Sequence, residues 1–408
     1  MSATAFATPQ HTTGNRCHIC VVSETYAPEV NGVALTLARF VHGLRGRGHT
    51  VSVVRPRQQS EYRPRLLTDS QVMLVRGLPL PGYQGLQFGL PAGKALQRSW
   101  THNRPDVVYV ATEGPLGWSA VVTTQRFGIP VLSGFHTNFH SYSQHYHAGF
   151  LQPVILRYLR AFHNRTNGTL VPSHDLRDRL HELGFHDVNI LGRGVDTALF
   201  NPARRSKEVR RQWGASSQDA VALYVGRVAA EKNLQVAVVA YRAMKQHDER
   251  VKFVIVGDGP LRTTLQHDHP DIIFPGLLTG EQLATQYASA DVFLFPSETE
   301  TFGNVTLEAM ASGLAVIAYD YAAAKMHIGH GDTGVLVPFG DRQGFIESAT
   351  ELIRAPRLLQ QMRQEARTYA TSMGWGRVIE RFETLLLNAH AQSLRLTEPS
   401  VRYQGITT

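Results

Sequence analysis

Short apolar runs rich in β-branched residues alternate with amphipathic stretches along this chain, and that alternation limits the fold more than any other feature. The runs CHICVVS, HTVSVVR, QVMLV, DVVYV, IPVLSG and GTLV recur through the first half, separated by helix-like segments such as Ala34 to Leu44. Strands that short and that uniformly apolar are buried on both faces, which is the condition of a parallel sheet covered by helices. From Asn201 to Gln218 the pattern lapses into NPARRSKEVRRQWGASSQ, polar, basic and poor in strand formers, as expected of a connector. It then restarts with AVALYVG, VKFVIVG, DIIF, DVFLFP, LAVIA and GVLVP. Two doubly wound α/β lobes follow, Rossmann-like in type, with a ligand cleft expected between them.

The length agrees, because 408 residues exceed what one hydrophobic core usually organises. The expected division is a flexible tail over 1–15, a first domain over 16–200, a linker over 201–218 and a second domain over 219–372. An amphipathic helix over 373–388 and a second flexible tail over 389–408 complete it. The helix is read from Trp375, Ile379, Phe382, Leu385 and Leu386, which share one side at helical spacing.

The 41 Lys+Arg residues against 33 Asp+Glu leave a formal charge of +8, which suits a phosphate-bearing ligand, nucleic acid or an anionic membrane surface without choosing among them. No run of eighteen apolar residues occurs and the opening MSATAFATPQHTTGNR has no apolar signal core, so a cytoplasmic location is expected, with peripheral membrane contact left open. The two cysteines, Cys17 and Cys20, have the spacing of half a zinc site, but no second ligand pair matches them. On a strand they serve packing better than metal binding.

Chemistry concentrates in Asp291 to Gly313, DVFLFPSETETFGNVTLEAMASG. A strand ends at Pro296, a loop carries Ser297 to Thr301, and a helix begins around Phe302 to Asn304. Unpaired amides at a helix start beside a sheet's carboxyl edge attract a diphosphate. Glu300 precedes that helix and Glu308 lies within it, so one carboxylate reaches a group beyond the phosphates and the other a group beside them. Singly, each glutamate is as well explained by helix-dipole preference or solvation.

GRVAAEKN follows the strand AVALYV and places Arg227 and Lys232 where two cations can neutralise charge on a departing diphosphate, with Glu231 to orient them. A surface ion-pair cluster is the competing explanation. Gly257 to Pro260 forms a tight turn after VKFVIV, where a flat base can approach the backbone. Asn31-Gly32-Val33 gives a turn before a helix that allows close approach by a phosphate. The dinucleotide fingerprint G-x-G-x-x-G is absent after the first strand, which disfavours nicotinamide and flavin chemistry. The histidines of GFHTNFHSYSQHYH match no standard zinc spacing; His136, directly after IPVLSG, falls at the cleft edge.

Taken together, these stretches resemble the retaining GT-B glycosyltransferases of family 4, particularly the bacterial mannosyl and glycolipid enzymes. ADVFLFPSETETFGNVTLEAMASGLAVIA resembles the family's E-x7-E region, GRVAAEKNL its Arg/Lys phosphate motif, PEVNGVALTLARFVHGLRGRGHTV its glycine loop and first helix, and RGVDTALFNP its interdomain segment. The resemblance spans residues 16 to 388. It implies that Arg227 and Lys232 bind the donor diphosphate, Glu308 the ribose hydroxyls and Glu300 the transferred sugar. Backbone groups near Phe302, Gly303 and Asn304 hold sugar and phosphate, Gly32 lines the phosphate from the other lobe, and His136 is similar to the family's active-site histidine.

It further implies that the last amphipathic helix returns to the first lobe, and that YAAAKMHI replaces a glycine pair, which puts the loop around Ala322 to Ala324 in doubt. The implied reaction moves a hexose from a nucleotide diphosphate sugar, GDP-mannose or UDP-glucose, to a glycan or lipid acceptor, with same-face substitution. Neither cofactor nor metal is expected, since no Asp-x-Asp dyad is present to hold a cation. FLQPVILRYLRAFHNR, apolar and basic, suits docking on anionic lipid, and equally a cleft-lining helix with solvated arginines. Two other classes stay in view. One is a nucleotide-sugar epimerase of the same fold, the other a non-enzymatic nucleotide-sugar or nucleic-acid binder, the latter disfavoured by the lack of an RNA-binding signature.

Overall fold

The computed structural model describes residues 16–29, 31–58, 71–79, 87–135, 152–299 and 304–397. These divide into two compact units. One comprises the described residues up to 172, 176–191 and from 379 onward; the other comprises 173–175 and 192–378.

The first unit is built on β1 (His18–Val22), β2 (Thr50–Pro56), β3 (Val72–Val75), β6 (Val107–Val110), β7 (Val131–Gly134), β8 (Gly168–Val171) and β9 (Val188–Ile190). They form one seven-stranded sheet in the order β3-β2-β1-β6-β7-β8-β9, and every pairing is parallel. A short antiparallel hairpin, β4 (Gly77–Pro79) with β5 (Gln87–Gly89), stands apart. The central strands are buried on both faces, with Val107 to Val110 entirely enclosed, because helices such as Gly32–Gly46 and Pro115–Phe127 cover the sheet.

Local chemistry sets the helix ends. The Asn31 carboxamide accepts the Val33 and Ala34 amides at 3.1 and 2.9 Å and so caps Gly32–Gly46. Gly128, at φ 59°, ends Pro115–Phe127 in the left-handed conformation. Cys17 and Cys20 are both buried and neither is in a disulfide, which fits a packing role.

The second unit carries β10 (Val221–Val225), β11 (Lys252–Val256), β12 (Ile273–Gly276), β13 (Val292–Phe295), β14 (Ala315–Tyr319) and β15 (Gly334–Val337), in the order β12-β11-β10-β13-β14-β15. This sheet too is all parallel. Its core is aromatic as well as aliphatic, with Tyr224, Phe253, Tyr287, Phe293 and Phe345 fully enclosed.

Two stretches differ from the sequence reading. Residues 201–218 are not a bare connector but part of the second unit, with a 3-10 turn at Pro202–Arg204 and a helix at Lys207–Gln212. Arg205 and Arg210 from this stretch bind Asp291 at 2.9 and 3.1 Å, and Arg363 joins them at 3.0 Å. Three guanidinium groups on one buried carboxylate give a polar sequence a fixed place. The closing helix runs Trp375–Thr397, past the expected end at 388, so 389–397 are not a tail; 398–408 and 1–15 lie outside the described residues. From Ile379 onward it belongs to the first unit. There Phe382 stacks on Phe40 and meets Tyr109 edge-on. Arg47 Nε donates to Glu383 at 2.6 Å. His49 accepts the Cys17 amide at Nδ1, which leaves Nε2 protonated to donate to Glu383 at 2.8 Å.

Ala322 begins the helix Ala322–His327 at φ 50°, the left-handed region in which a Cβ is disfavoured. The loop that lacks the family's glycines therefore keeps a glycine-like backbone.

Candidate functional site

In a doubly wound sheet, ligands collect outside the carboxyl ends of the strands where the strand order reverses. In the second unit that reversal lies between β10 and β13, and the loops after these strands are the two that carry Arg227, Lys232 and the residues leading to Glu300.

The loop after β10 is drawn tightly against the loop after β11. Gly226 N–H donates to the Val256 carbonyl at 3.0 Å and Val228 N–H to the Asp258 carbonyl at 2.9 Å. A Cβ on Gly257, which sits at φ 142°, would collide with the Gly226 carbonyl, and one on Gly259 would collide with that of Val228. The close approach that demands glycine at 257 is thus already made by backbone of the neighbouring loop. The same packing brings Gly257 beside the loop that bears Arg227.

Arg227 donates to Glu231 four residues on, yet its side chain remains 66% exposed. That hydrogen bond holds the Glu231 carboxyl below its usual range. Lys232 points toward the loop after β13, where Nζ donates to the Thr299 carbonyl at 2.7 Å and to Ser297 Oγ at 3.3 Å. Thr299 Oγ1 returns a hydrogen bond to the Glu231 carbonyl at 3.1 Å, and Asn233 donates to Glu298. Asn233 takes φ 53°, a left-handed residue between the 3-10 turn Ala230–Lys232 and the helix Leu234–His247, and this kink turns the lysine toward the loop. The two loops are therefore cross-linked by an ammonium group that sits against the residue preceding Glu300.

The helix after that loop is Asn304–Ala311, closed by Gly313 at φ 77°. Asn304 is exposed at its first position. Glu308 lies one turn further in and accepts the Tyr287 hydroxyl at 3.2 Å. Of the expected donor-side residues, the structure brings Arg227, Lys232 and Gly257 to one edge of the second sheet, with the 297–299 loop and the Asn304 helix following from the adjacent strand. Glu300, Phe302, Gly303 and His136 lie outside the described residues. Gly32 belongs to the first unit, where it opens the helix capped by Asn31. Among the described residues, no group of three or more His, Cys, Asp or Glu is placed to hold a metal ion.

Sequence reasoning passed over two anchors of Lys232 in the second unit and one acidic residue in the first. Ser297 and Thr299 anchor Lys232 through a hydroxyl and a carbonyl, contacts that only the folded loop defines. The third is Glu24, directly after β1, whose carboxyl is pushed up to about 7, first by burial and further by Glu113, against the opposing pull of backbone hydrogen bonds from Leu116, Gly117 and Gly89. An acidic residue immediately after an enclosed strand was the available signal.

Residues 30–199 match the family described as Glycosyltransferase Family 4, and residues 205–369 match Glycosyl transferases group 1. A GDP-mannose-dependent alpha-mannosyltransferase of Corynebacterium glutamicum is 32% identical over 337 residues, 82% of this chain and 80% of that protein. Its namesake from Mycolicibacterium smegmatis is 33% identical over 330 residues, covering 80% and 85%. An alpha-monoglucosyldiacylglycerol synthase of Streptococcus pneumoniae is 28% identical over 315 residues, covering 74% and 70%. Among solved structures, the sucrose-phosphate synthase of Thermosynechococcus elongatus superposes with a TM-score of 0.72 at 19% identity, over 92% of this chain and all of the other. HepE of Anabaena, solved with UDP, gives 0.70 at 17% identity over 91% and 99%. The strand orders and these neighbours make the fold GT-B, and the matched halves together with relatives above 30% identity place the chain in glycosyltransferase family 4, as an enzyme of glycosyl transfer.

Proposed function

We propose that the protein transfers a hexose from a nucleotide diphosphate sugar to a hydroxyl of a glycan or lipid acceptor, with retention of anomeric configuration and without a metal ion. GDP-mannose is the first donor to test, because the relatives at 32% and 33% identity are named for it; UDP-glucose is the second. The observation that carries this reading is the Lys232 ammonium held on Thr299 and Ser297 at the strand-order reversal, with the exposed Arg227 guanidinium on the same loop.

In this reading the sugar C1–O bond to the diphosphate breaks as the acceptor oxygen bonds C1 on the same face, and the acceptor proton passes to the leaving phosphate. Arg227, Lys232 and the first amides of the Asn304 helix offset the charge that gathers there. Glu300, with Phe302 and Gly303, serves the sugar and Glu308 the ribose, while His136 keeps the role of active-site histidine that the resemblance implies.

No helix among the described residues is long and apolar enough to cross a membrane. For a lipid acceptor we favour a cytoplasmic enzyme that meets the membrane surface through the helix Gln152–His163, where Val154 is exposed beside Arg157 and Arg160. Flotation with anionic against neutral vesicles tests that placement.

A thermal-shift panel of nucleotide sugars tests the donor, since a ligand that binds only the native state raises its melting temperature. GDP-mannose or UDP-glucose should shift it where free mannose and glucose do not, and turnover should be unchanged by EDTA. No shift with any nucleotide sugar, or an absolute demand for manganese, would remove this reading.

A further inference from the structure

The first unit has a strand-order reversal of its own, between β1 and β6. The loop after β1 supplies Glu24 and the loop after β6 supplies Thr112 and Glu113, so a carboxylate stands on each side of the position where such sheets bind ligands. The loops are fixed to one another. Glu24 N–H donates to Thr112 Oγ1 at 2.9 Å, and Glu24 Oε1 accepts the Leu116 amide at 3.0 Å at the start of the helix Pro115–Phe127. Gly114 admits this arrangement, since a Cβ there would strike the Glu24 carboxylate.

Glu113 faces a histidine that is wholly enclosed. His163 Nε2 lies 3.6 Å from Glu113 Oε1, beyond hydrogen-bond reach, and is a buried nitrogen without a hydrogen-bond partner, while Nδ1 of the same ring pairs with Ser133 Oγ at 2.8 Å. Beside the carboxylates stands an aromatic wall. Tyr158 donates its hydroxyl to the Glu113 carbonyl, its ring stacks on Trp118 with centroids 5.4 Å apart, and Arg165 covers the Trp118 ring at 5.1 Å. Tyr158 nevertheless stays 41% exposed. The Tyr158 hydroxyl on the Glu113 carbonyl and the Glu24 carboxyl on the Leu116 amide, three residues further along the chain, put the three groups in one cluster.

An exposed aromatic ring offers a flat surface to the C–H face of a sugar, and carboxylates accept its hydroxyl protons in charge-assisted hydrogen bonds. Near neutral pH the Glu24 carboxyl is partly protonated and can also donate. A simple apolar alcohol needs neither wall nor paired acids.

We propose that Glu24, Glu113 and Tyr158 form a subsite on the first unit for a hexopyranoside ring of the acceptor, an inference that rests on the glycosyl-transfer reading above. The acceptor, glycan or lipid-linked, therefore already carries a sugar, and Glu24 and Tyr158 select it.

Saturation-transfer NMR on the full chain tests this with methyl α-D-mannopyranoside and methyl α-D-glucopyranoside as probes and glycerol as the control. The expected result is transfer to the ring protons of at least one glycoside and none to glycerol, with affinity weakened about tenfold in Glu24→Gln. Tyr158→Ala, an exposed position, should weaken it similarly and guards against a folding defect at Glu24. Absence of transfer to both glycosides, equal transfer to glycerol, or full transfer in both variants would overturn the subsite. Thermal shifts with GDP-mannose and UDP-glucose on the same samples report the second unit separately. Glycoside binding through Glu24 without any nucleotide-sugar shift would sink the transfer reading and leave the subsite standing; the reverse pattern would do the opposite.

Discussion

Glu24→Gln should make the protein more resistant to unfolding at alkaline pH and leave it unchanged at acidic pH. The wild-type carboxyl is raised from 4.5 in the unfolded chain to about 7 in the folded one, chiefly by burial, with Glu113 from the next loop adding to the rise and Tyr158 from the helix Gln152–His163 facing the pair. Below 4.5 both states are protonated. Between 4.5 and 7 the native state holds a proton that the unfolded state has released, so stability falls as pH climbs, and the contribution is fully lost above 7.

At about 1.4 kcal/mol per pH unit the rise corresponds to roughly 3 kcal/mol, an upper figure because the carboxyl is not wholly enclosed. Glutamine stays neutral throughout and keeps an oxygen for the Leu116 amide. Urea unfolding of both proteins at pH 3.5, 5, 6, 7 and 8 should therefore coincide at the lowest pH and separate progressively in favour of the variant, by up to about 3 kcal/mol at the highest. Hydrogen exchange across residues 115–127 should locate the gain in the first unit. A constant offset between the two proteins across that range, or a gap that opens in favour of the wild type, refutes the reasoning.

Lys232→Ala removes the tie to Thr299 and Ser297, and turnover should drop by a factor of about 100 or more while the melting temperature moves little; near-normal turnover of the purified variant would remove Lys232 from the site. Asp291→Ala strands three guanidinium groups and should cost about 3–5 kcal/mol, read as a fall in the urea midpoint; a loss below about 1 kcal/mol would mean that the backbone carbonyls alone hold those arginines. Ala322→Gly relieves a left-handed backbone worth about 1–2 kcal/mol and gives back about 0.4–1 kcal/mol in unfolded-chain entropy, so the melting temperature should rise slightly; a clear fall would show that the Ala322 methyl packs productively.

Both sheets were legible in the sequence because a strand buried on two faces needs an apolar run that nothing else in the chain requires. The loops after β10 and β13 were legible for a similar reason, since Arg227, Lys232 and Glu308 fall at fixed offsets from such runs. What escaped depends on partners distant in sequence. Arg205 and Arg210 looked like linker residues because their acceptors, Asp291 and the carbonyls around Ser289, lie some eighty residues on. The closing helix looked finished at 388 because its later turns are polar, yet Ala389 is buried and His390 bonds the Asp106 carbonyl. Gly257 was singled out as a place where a flat base could approach, and the sequence held nothing to say that the Gly226 carbonyl packs against it. Glu24 carried no signal of its altered acidity, because that acidity is set first by burial in the fold and then by the Glu113 charge and the amides of Leu116, Gly117 and Gly89, all distant in sequence.

The two units solve the same geometric problem with opposite charge. At each strand-order reversal a residue after the first central strand is pinned to the loop after the other: Lys232 to Thr299 in the second unit, Glu24 to Thr112 and Leu116 in the first. A pinned side chain loses little entropy when a ligand arrives, so each loop pair is already shaped before binding. A tethered ammonium beside an exposed guanidinium suits a group that accumulates negative charge, as a departing diphosphate does. Two carboxyl groups beside an exposed aromatic ring suit a neutral partner that donates hydrogen bonds and presents a C–H face, as a sugar does. Exchanging the roles would fail on electrostatics alone, because a diphosphate at Glu24 and Glu113 meets like charge in a partly desolvated place. On that ground Lys232 and Arg227 suit an anionic ligand, and Glu24, Glu113 and Tyr158 a neutral one rich in hydroxyl groups.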